Sequence, residues 1–168
     1  MIKNLLLDMG GVILNVSYQK VIESFKAYGI KDFDKVYTQA AQVEIIDRFE
    51  EGKCTPAEFR EGVRALLKKD LTDEQIDTAW FSMILDIPKD VIRLLETLKS
   101  KYRLFLFSNT NVLHIEFLKK EFERQLGFDL FTHTFEKAFF SNEIHHRKPH
   151  PESFKYVLNA AGIKADET

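Results

Sequence analysis

Three short apolar runs in the sequence are each followed by side chains that could act on a phosphate group. Asp8 follows the first run, Ser108 and Asn109 follow the second, and Lys148 comes a few residues after the third. A carboxylate can attack as a nucleophile, a hydroxyl and the backbone amides beside it can hold phosphate oxygens, and an ammonium group can neutralise the shared charge. Together these residue types predict a site for a small phosphate ester.

A pair of glycines close to Asp8 supports this interpretation. Gly10 and Gly11 have no side chain, so their backbone N–H groups can approach phosphate oxygens closely. We therefore include both glycines, with Ser108 and Asn109, in the predicted phosphate-binding set.

The apolar runs that carry these residues are typical of buried parallel strands. They cover residues 4–9, 102–107 and, more weakly, 135–140. Helical periodicity fills most of the remaining sequence, and strands that alternate with helices indicate a parallel sheet with helices on its faces. Ligands bind such sheets outside the carboxyl ends of the strands, which is where the polar residues stand. The predicted fold class is α/β, with a Rossmann-like parallel sheet.

The segment between the first two strands has no clear strand pattern, which predicts a helical insertion. Two capping boxes mark helix starts inside it, at Thr55 with Glu58 and at Thr72 with Gln75. The apolar faces predicted for two of its helices are Val43, Ile46 and Phe49 for one, and Phe59, Val63, Leu66 and Leu67 for the other.

This insertion divides the chain into two predicted domains. Residues 1–13 and 89–168 would form the α/β core, and residues 14–88 would form the helical insertion. The sequence indicates only three strands in the core, whereas a typical sheet has about five or six. The core therefore looks incomplete.

Composition and charge narrow the class of protein. Of the 168 residues, 45% are hydrophobic and 30% are charged, which is typical of a soluble globular domain. With 24 basic and 26 acidic residues the net charge is −2, so nucleic acid is not expected as a main partner. The sequence has no segment of membrane-spanning length, and its single Cys54 suits a reducing compartment. We predict a cytoplasmic location and no membrane contact.

Each of these features also has an ordinary structural interpretation. An aspartate after a strand is often a turn residue, and a Ser-Asn pair can simply cap a helix. Residues 147–151 can form a solvated loop that enters a helix. His145 and His146 lack a metal-binding spacing, so we expect surface side chains.

The order of the motifs is more specific than any one of them. Residues 4–12, 105–111 and 147–151 resemble the first, second and third motifs of the haloacid dehalogenase superfamily of aspartate-nucleophile hydrolases. The helical insertion, placed between the first two motifs, resembles the small α-helical cap of that superfamily. The segments most similar to its glucose-1-phosphate phosphatase-like branch are residues 10–12, 49–53 and 108–111.

The resemblance implies a mechanism and a role for each motif. Asp8 would attack phosphorus and form an aspartyl-phosphate, which water would hydrolyse. Ser108 would bind the phosphoryl group, and Lys148 would steady it. A Mg²⁺ ion held by the Asp8 carboxylate and the Gly10 carbonyl would offset the repulsion between the two anions. The cap would exclude water and choose the substrate.

The sequence departs from the superfamily pattern in two places. Many phosphatases of the superfamily carry a second aspartate two residues after the nucleophile, as general acid and base, and this chain has Gly10 there. The acidic pair of the fourth motif, which completes the Mg²⁺ site, is missing from the sequence. We therefore expect a truncated form of a longer protein, with weak activity or none.

These observations predict a Mg²⁺-dependent phosphatase of a small phosphorylated metabolite, with a sugar phosphate as one candidate. The first alternative is a 2-haloacid dehalogenase, which would use the same aspartate to displace halide without a metal. The second is a non-catalytic protein that binds a phosphate ligand. The identity of the substrate and the oligomeric state stay open.

Overall fold

A three-stranded parallel sheet carries the polar residues singled out above. In a computed structural model, which describes residues 1–30, 33 and 44–168, the strands are β1 (Asn4–Leu7), β2 (Arg103–Ser108) and β3 (Lys137–Phe140). They lie in the order β1-β2-β3, and both neighbouring pairs are parallel. The predicted α/β class is confirmed, with strand ends one or two residues from those expected.

Helices fill the connections between the strands. In the described residues they are α1 (Tyr18–Ala27), α2 (Glu44–Glu50), α3 (Pro56–Leu67), α4 (Asp73–Phe81), α5 (Lys89–Lys99), α6 (Val112–Leu126), α7 (Leu130–Thr134), α8 (Ser141–Ile144), α9 (Pro151–Ala161) and a final 3-10 turn (Ala165–Glu167). The first four lie in the predicted insertion between β1 and α5. Within the part of the chain that is described, every helix is too short or too polar to cross a membrane.

The central strand β2 shows that the sheet is covered on both faces. Leu104 and Leu106 pack in one apolar cluster with Phe122 of α6, whereas Phe105 and Phe107 belong to another cluster on the opposite face. The four strand residues are at most 2% exposed. Successive side chains of a strand point to opposite faces, so an all-apolar strand needs helices on both sides. This layering agrees with the Rossmann-like class.

The helical insertion forms most of one apolar cluster, which is rich in aromatic side chains and also includes Leu113 of α6. Phe49 stacks on Phe59 with ring centroids 4.3 Å apart, and the Phe59 ring lies 5.1 Å from that of Trp80. Aromatic pairs at such distances stabilise a core by about 0.5–1.5 kcal/mol beyond the area that they bury. The division into residues 14–88 and the two core segments stays a prediction.

Both predicted capping boxes are present in this insertion. Thr55 Oγ1 accepts a hydrogen bond from the Glu58 N–H, and the Glu58 carboxylate accepts one from the Thr55 N–H. Thr72 and Gln75 make the same pair of bonds at the start of α4. Each box satisfies N–H groups that the first turn of a helix leaves without a partner.

The predicted apolar faces are only partly right. Phe59 and Val63 of α3 are buried, but Leu66 is 36% exposed, because it lies in the last turn of the helix and outside the apolar cluster. Of the face predicted for α2, Ile46 is buried. Val43 lies outside the described residues.

The two chain segments that join the insertion to the core run side by side. Val16 and Ile84 form an antiparallel bridge, and the Ser17 N–H donates a hydrogen bond to the Met83 carbonyl at 2.8 Å. Val16, Met83 and Ile84 also line the pocket described below. The linkers therefore place the insertion beside the edge of the sheet at which β1 and β2 end.

Candidate active site

Residues from the ends of β1 and β2 and from the loop after α8 meet at one edge of the sheet. They line a pocket of about 270 Å³. All the site residues predicted from the sequence line this pocket, namely Asp8, Gly10, Gly11, Ser108, Asn109 and Lys148. The structure thus brings together residues that are up to 140 positions apart, while their roles stay predictions.

Asp8 and Lys148 form an ion pair in this pocket. Lys148 Nζ lies 2.8 Å from Asp8 Oδ1 and also donates a hydrogen bond to the Phe107 carbonyl at 2.8 Å. Asp8 Oδ1 accepts a further bond from the Met9 N–H at 2.7 Å. Among the described residues these contacts all use Oδ1 and not Oδ2. The Asp8 side chain is 45% exposed, so a small ligand can reach it.

Asn109 holds the backbone of Lys148. Its Oδ1 accepts a hydrogen bond from the Lys148 N–H, and its Nδ2 donates one to the Lys148 carbonyl, both at 2.9 Å. Both ends of this amide are therefore engaged with the loop after α8. The geometry differs from the phosphate contact predicted for Asn109, because the loop folds back onto the end of β2.

The backbone after Ser108 is held to the start of α8. The Thr110 N–H donates to Ser141 Oγ at 2.9 Å, and Ser141 Oγ donates to the Thr110 carbonyl at 3.1 Å. The sequence predicts that amides after Ser108 hold phosphate oxygens, but the amide of Thr110 is already bonded. Ser108 itself is 2% exposed and lines the pocket, and its contact with a phosphate oxygen stays a prediction.

The two glycines take different parts in the loop after Asp8. Gly11 has a φ of +76°, and its N–H donates to the Leu14 carbonyl at 2.8 Å. That N–H closes a turn, in contrast to the phosphate contact predicted for it. At Gly10 a Cβ atom would lie 3.4 Å from Val16 Cγ1, which is an ordinary contact distance. Position 10 therefore has room for a Cβ.

Oxygen atoms near Asp8 are the donors available to a metal ion. Within the described ranges, no group of three or more His, Cys, Asp or Glu residues is placed to hold one. The Asp8 carboxylate and the Gly10 carbonyl, predicted as ligands, are hard oxygen donors of the kind that suit Mg²⁺. With these two protein ligands, such an ion would keep most of its octahedral positions for water or phosphate oxygens.

The helical insertion and α6 contribute pocket residues that the sequence analysis does not single out. Among them are Tyr18, Glu50, Met83, Ile84 and His114. A sequence signal exists for Glu50, which lies four residues after the buried Ile46 and so on the same face of α2. A glutamate on an apolar helix face indicates a carboxylate that is partnered or functional.

Arg147 joins α2 of the insertion to the loop that carries Lys148. Its guanidinium lies 2.6 Å from Glu50 Oε2 and 2.5 Å from Asp47 Oδ1. The Glu50 side chain is 11% exposed, whereas that of Asp47 is 42% exposed. A buried carboxylate is thus paired with the residue next to Lys148, and removing one partner of such a pair typically costs about 3–5 kcal/mol.

A second contact holds the insertion against the core. His145 Nδ1 lies 2.9 Å from the Glu51 carbonyl oxygen. Gly52 has a φ of +67°, and a Cβ atom there would lie 2.1 Å from the Asn142 carbonyl oxygen, so only glycine fits this approach. His145 and His146 are exposed as predicted, and His145 in addition helps to dock α2.

Tyr18 keeps its proton in this pocket. Burial raises the pKa of its hydroxyl above the ordinary value, the negative charges of Glu50 and Asp8 raise it further, and the positive charge of Arg147 opposes them. At neutral pH the hydroxyl therefore carries a proton, which it can donate in a hydrogen bond.

His114 joins α6 to α4 as a neutral ring. Burial lowers the pKa of this histidine to about 4, so it is uncharged at neutral pH. Its Nε2 lies 3.2 Å from the Trp80 carbonyl oxygen, and its Nδ1 lies 3.2 Å from Asn111 Nδ2. The ring therefore donates from Nε2 and accepts at Nδ1. Asn111 also caps α6, because its Oδ1 accepts a hydrogen bond from the His114 N–H.

Comparison with known proteins agrees with this arrangement. The model of a hydrolase family, the haloacid dehalogenase-like hydrolases, matches residues 2–168. The chain belongs to the haloacid dehalogenase-like hydrolase family. This haloacid dehalogenase-like hydrolase is 30% identical over 169 residues to a D-ribitol-5-phosphate phosphatase of Bacteroides thetaiotaomicron, with 100% of this chain and 81% of the relative covered.

Two solved structures have closely similar folds. A haloacid dehalogenase family enzyme of Bacteroides thetaiotaomicron, crystallised with magnesium and inorganic phosphate, gives a TM-score of 0.90 at 40% identity and covers 100% of this chain and 83% of its own. A haloacid dehalogenase-like hydrolase of Porphyromonas gingivalis gives 0.88 at 27% identity, with 100% and 80% covered. The family read from the three motifs is confirmed, and so is the hydrolase class.

Proposed function

We propose that this haloacid dehalogenase-like hydrolase is a Mg²⁺-dependent phosphatase that acts on a small phosphorylated metabolite through an aspartyl-phosphate. The observation that carries the proposal is the Asp8–Lys148 ion pair, which holds a reachable carboxylate inside a pocket of about 270 Å³. Two relatives support it, since one is named a D-ribitol-5-phosphate phosphatase and the other was crystallised with magnesium and inorganic phosphate.

Asp8 acts first as the nucleophile. Its Oδ2 attacks phosphorus while the bond from phosphorus to the ester oxygen breaks, and the leaving oxygen takes up a proton. Lys148 holds Asp8 by Oδ1 and places a positive charge beside the incoming phosphate. Ser108 binds a phosphate oxygen at the end of β2. Water then attacks the phosphorus of the aspartyl-phosphate, which releases inorganic phosphate and restores Asp8.

The Asp8 carboxylate and the Gly10 carbonyl would hold Mg²⁺. When bound, the metal supplies positive charge that offsets the repulsion between a carboxylate and a phosphate. Two hard oxygen donors at the end of β1 are compatible with this ion. The magnesium in the related crystal structure supports the choice of this ion.

The pocket suits a leaving group that carries hydroxyls. Beyond Asp8 and Lys148 its lining includes polar side chains of Tyr18 and Glu50 and the apolar side chain of Met83. A polyol or sugar can exchange hydrogen bonds with the polar groups and lay its carbon chain against the apolar one. We therefore include polyol phosphates and sugar phosphates among the proposed substrates.

Hydrolysis of p-nitrophenyl phosphate tests the proposal. We expect turnover, weak as the missing acidic pair implies, that stops when EDTA removes the metal and returns when Mg²⁺ is added. Asp8→Asn abolishes turnover and leaves the melting temperature unchanged within a few degrees, because the amide has nearly the same shape but is a poor nucleophile. Asp90→Asn, at a side chain that is 90% exposed, is the matched control and retains full activity.

Each of three outcomes would contradict this function. Turnover by Asp8→Asn within a few-fold of the parent would rule out the nucleophile. Release of halide from 2-chloropropionate without a metal, with no phosphatase activity, would favour a dehalogenase. Saturable binding of phosphate esters without turnover would favour a non-catalytic binding protein.

A further inference from the structure

Glu50 places a buried carboxylate on the wall of the active-site pocket. The residue ends α2, and its side chain is 11% exposed. Burial of a charged group is costly unless the charge is paired, and here Arg147 lies 2.6 Å from Oε2. Arg147 thus compensates for the burial of a carboxylate that still borders the pocket.

The charges that line the pocket are unevenly distributed. Among the described lining residues the charged side chains are Asp8, Lys148 and Glu50. Lys148 is paired with Asp8 at 2.8 Å, whereas the partner of Glu50, Arg147, is absent from the described lining. The phosphate takes the Asp8–Lys148 end of the pocket. The rest of the substrate then meets the residues of the insertion, where Glu50 is the charged side chain of the described lining.

A carboxylate at this position of the pocket distinguishes two classes of leaving group by their charge. Hydroxyl groups of a polyol can donate hydrogen bonds to the oxygens of Glu50, and bonds to charged groups are stronger than neutral ones. A leaving group with its own carboxylate brings a second negative charge against Glu50. That repulsion is larger in a partly enclosed pocket than in water, because the effective dielectric constant is lower. Tyr18 adds a protonated hydroxyl near the same carboxylate.

We propose that Glu50 is a specificity-determining residue, which binds hydroxyl groups of an uncharged polyol and rejects leaving groups that carry a carboxylate. The proposal rests on the proposed phosphatase function and narrows its substrate class. The expected substrates are phosphate monoesters of neutral polyhydroxylated carbon chains. Phosphorylated acids of the same length are expected to be poor substrates.

Two substrates that differ at one carbon test this directly. Ribitol 5-phosphate ends in a CH₂OH group, and ribonate 5-phosphate ends in a carboxylate on an otherwise identical chain. We expect the parent to prefer ribitol 5-phosphate by about 100-fold in kcat/KM, since one like-charge contact and one lost charged hydrogen bond act together. In Glu50→Gln that ratio falls by about 10-fold or more, through slower turnover of the polyol and faster turnover of the acid.

Asp47→Asn is the matched control. It removes the other carboxylate that contacts Arg147, at 2.5 Å, but Asp47 is outside the described pocket lining. We expect its ratio of kcat/KM for ribitol 5-phosphate to kcat/KM for ribonate 5-phosphate to equal that of the parent. An equal fall in both variants would show that the effect comes from the Arg147 contact alone, and the proposal would be wrong.

If Glu50→Gln does not fold, the proposal can still be tested on the parent enzyme alone. A parent that hydrolyses both phosphates with equal kcat/KM overturns the role of Glu50 without any variant. The phosphatase function is judged separately, by turnover of p-nitrophenyl phosphate that depends on Asp8. If that turnover is present and the parent hydrolyses both sugar-derived phosphates with equal kcat/KM, only the specificity proposal fails.

Discussion

Lys148 has two contacts that depend on each other. Its Nζ forms an ion pair with Asp8 Oδ1, while its backbone N–H and carbonyl form hydrogen bonds with the side chain of Asn109. The ammonium group therefore stands beside the nucleophile only while the loop after α8 is folded against the end of β2. In the proposed mechanism Asn109 is thus a positioning residue, which acts on the reaction through Lys148.

In the proposed mechanism, Gly10 sets how kcat/KM depends on the leaving group. With no carboxylate at this position, an alkoxide with a high pKa leaves without the proton that a general acid would give, and such help is worth about 10²–10⁴-fold. We expect kcat/KM to favour aryl and anomeric phosphates over simple alkyl phosphates. In Gly10→Asp, whose Cβ has room beside Val16, we expect a smaller difference in kcat/KM between these two groups of phosphates.

The measurement is kcat/KM across a series of leaving groups for the parent and for Gly10→Asp. A flat dependence in the parent would contradict the expectation. It would show that another pocket residue, for example Tyr18 or Glu50, already supplies the proton.

The sequence predicts single residues of the site better than the contacts between them. Asp8, Ser108 and Lys148 are predictable because polar residues that follow parallel strands meet at one edge of the sheet. The hydrogen bonds between Asn109 and Lys148 join residues 39 positions apart, and hydrophobic periodicity does not predict such a contact. Glu50 is missed because its role depends on how the insertion docks onto the core.

At the scale of the elements, α2 docks on α8 through a contact that leaves no room for a side chain. Gly52 follows α2 with a φ of +67°, and a Cβ there would lie 2.1 Å from the Asn142 carbonyl oxygen. Any larger residue must push α2 away from the core. Because Glu50 lies two residues earlier, this would also move the wall of the pocket.

Gly52→Ala is therefore expected to lower both stability and activity. Gly127→Ala is the control, since Gly127 has a φ of +78° but nothing lies within 4 Å of its added Cβ. Backbone strain alone costs about 1–2 kcal/mol, which lowers the melting temperature by a few degrees in a chain of this size. We expect Gly52→Ala to melt lower than Gly127→Ala, and to lose activity that Gly127→Ala keeps. Equal behaviour of the two variants would contradict the close docking.

The contact between α4 and α6 depends on a neutral His114. Its pKa is about 4 in the folded chain and about 6.5 when unfolded. Between these values the unfolded chain binds a proton that the folded chain does not. The free energy of unfolding therefore falls as the pH drops from 6.5 to 4, by about 3 kcal/mol for this residue.

Urea unfolding across that pH range measures the effect. His114→Gln removes the titration, so its unfolding free energy should depend less steeply on pH, whatever its absolute stability. His150→Gln, at an exposed histidine, should keep the slope of the parent. A His114→Gln slope equal to that of the parent would show that the ring titrates normally in the fold.

At the scale of the whole molecule, the fold follows from features that act over short stretches of sequence. Apolar runs give the three strands, and capping boxes at Thr55 and Thr72 give two helix starts in the insertion. The exposure of Leu66 is not predictable in this way, since it depends on which neighbours the end of α3 meets. The cytoplasmic location and the two-domain division stay predictions.

The insertion and the rest of the chain supply different residues to the pocket. The ends of β1 and β2 and the loop after α8 supply Asp8, Ser108 and Lys148, which are the groups that act on phosphate in the proposed mechanism. The insertion supplies Tyr18 and Glu50, which face the remainder of a substrate. In the proposed mechanism chemistry and selectivity are thus carried by different parts of the chain, and we expect them to respond separately to substitution.

The central claim is that Asp8 carries the phosphoryl group during turnover. The direct measurement is a rapid acid quench of the enzyme during hydrolysis of p-nitrophenyl phosphate with Mg²⁺, followed by peptide mass spectrometry. The account predicts a phosphoryl group on the peptide that contains Asp8, and none in Asp8→Asn. Release of phosphate with no phosphorylated enzyme, or with the phosphoryl group on another residue, would contradict it.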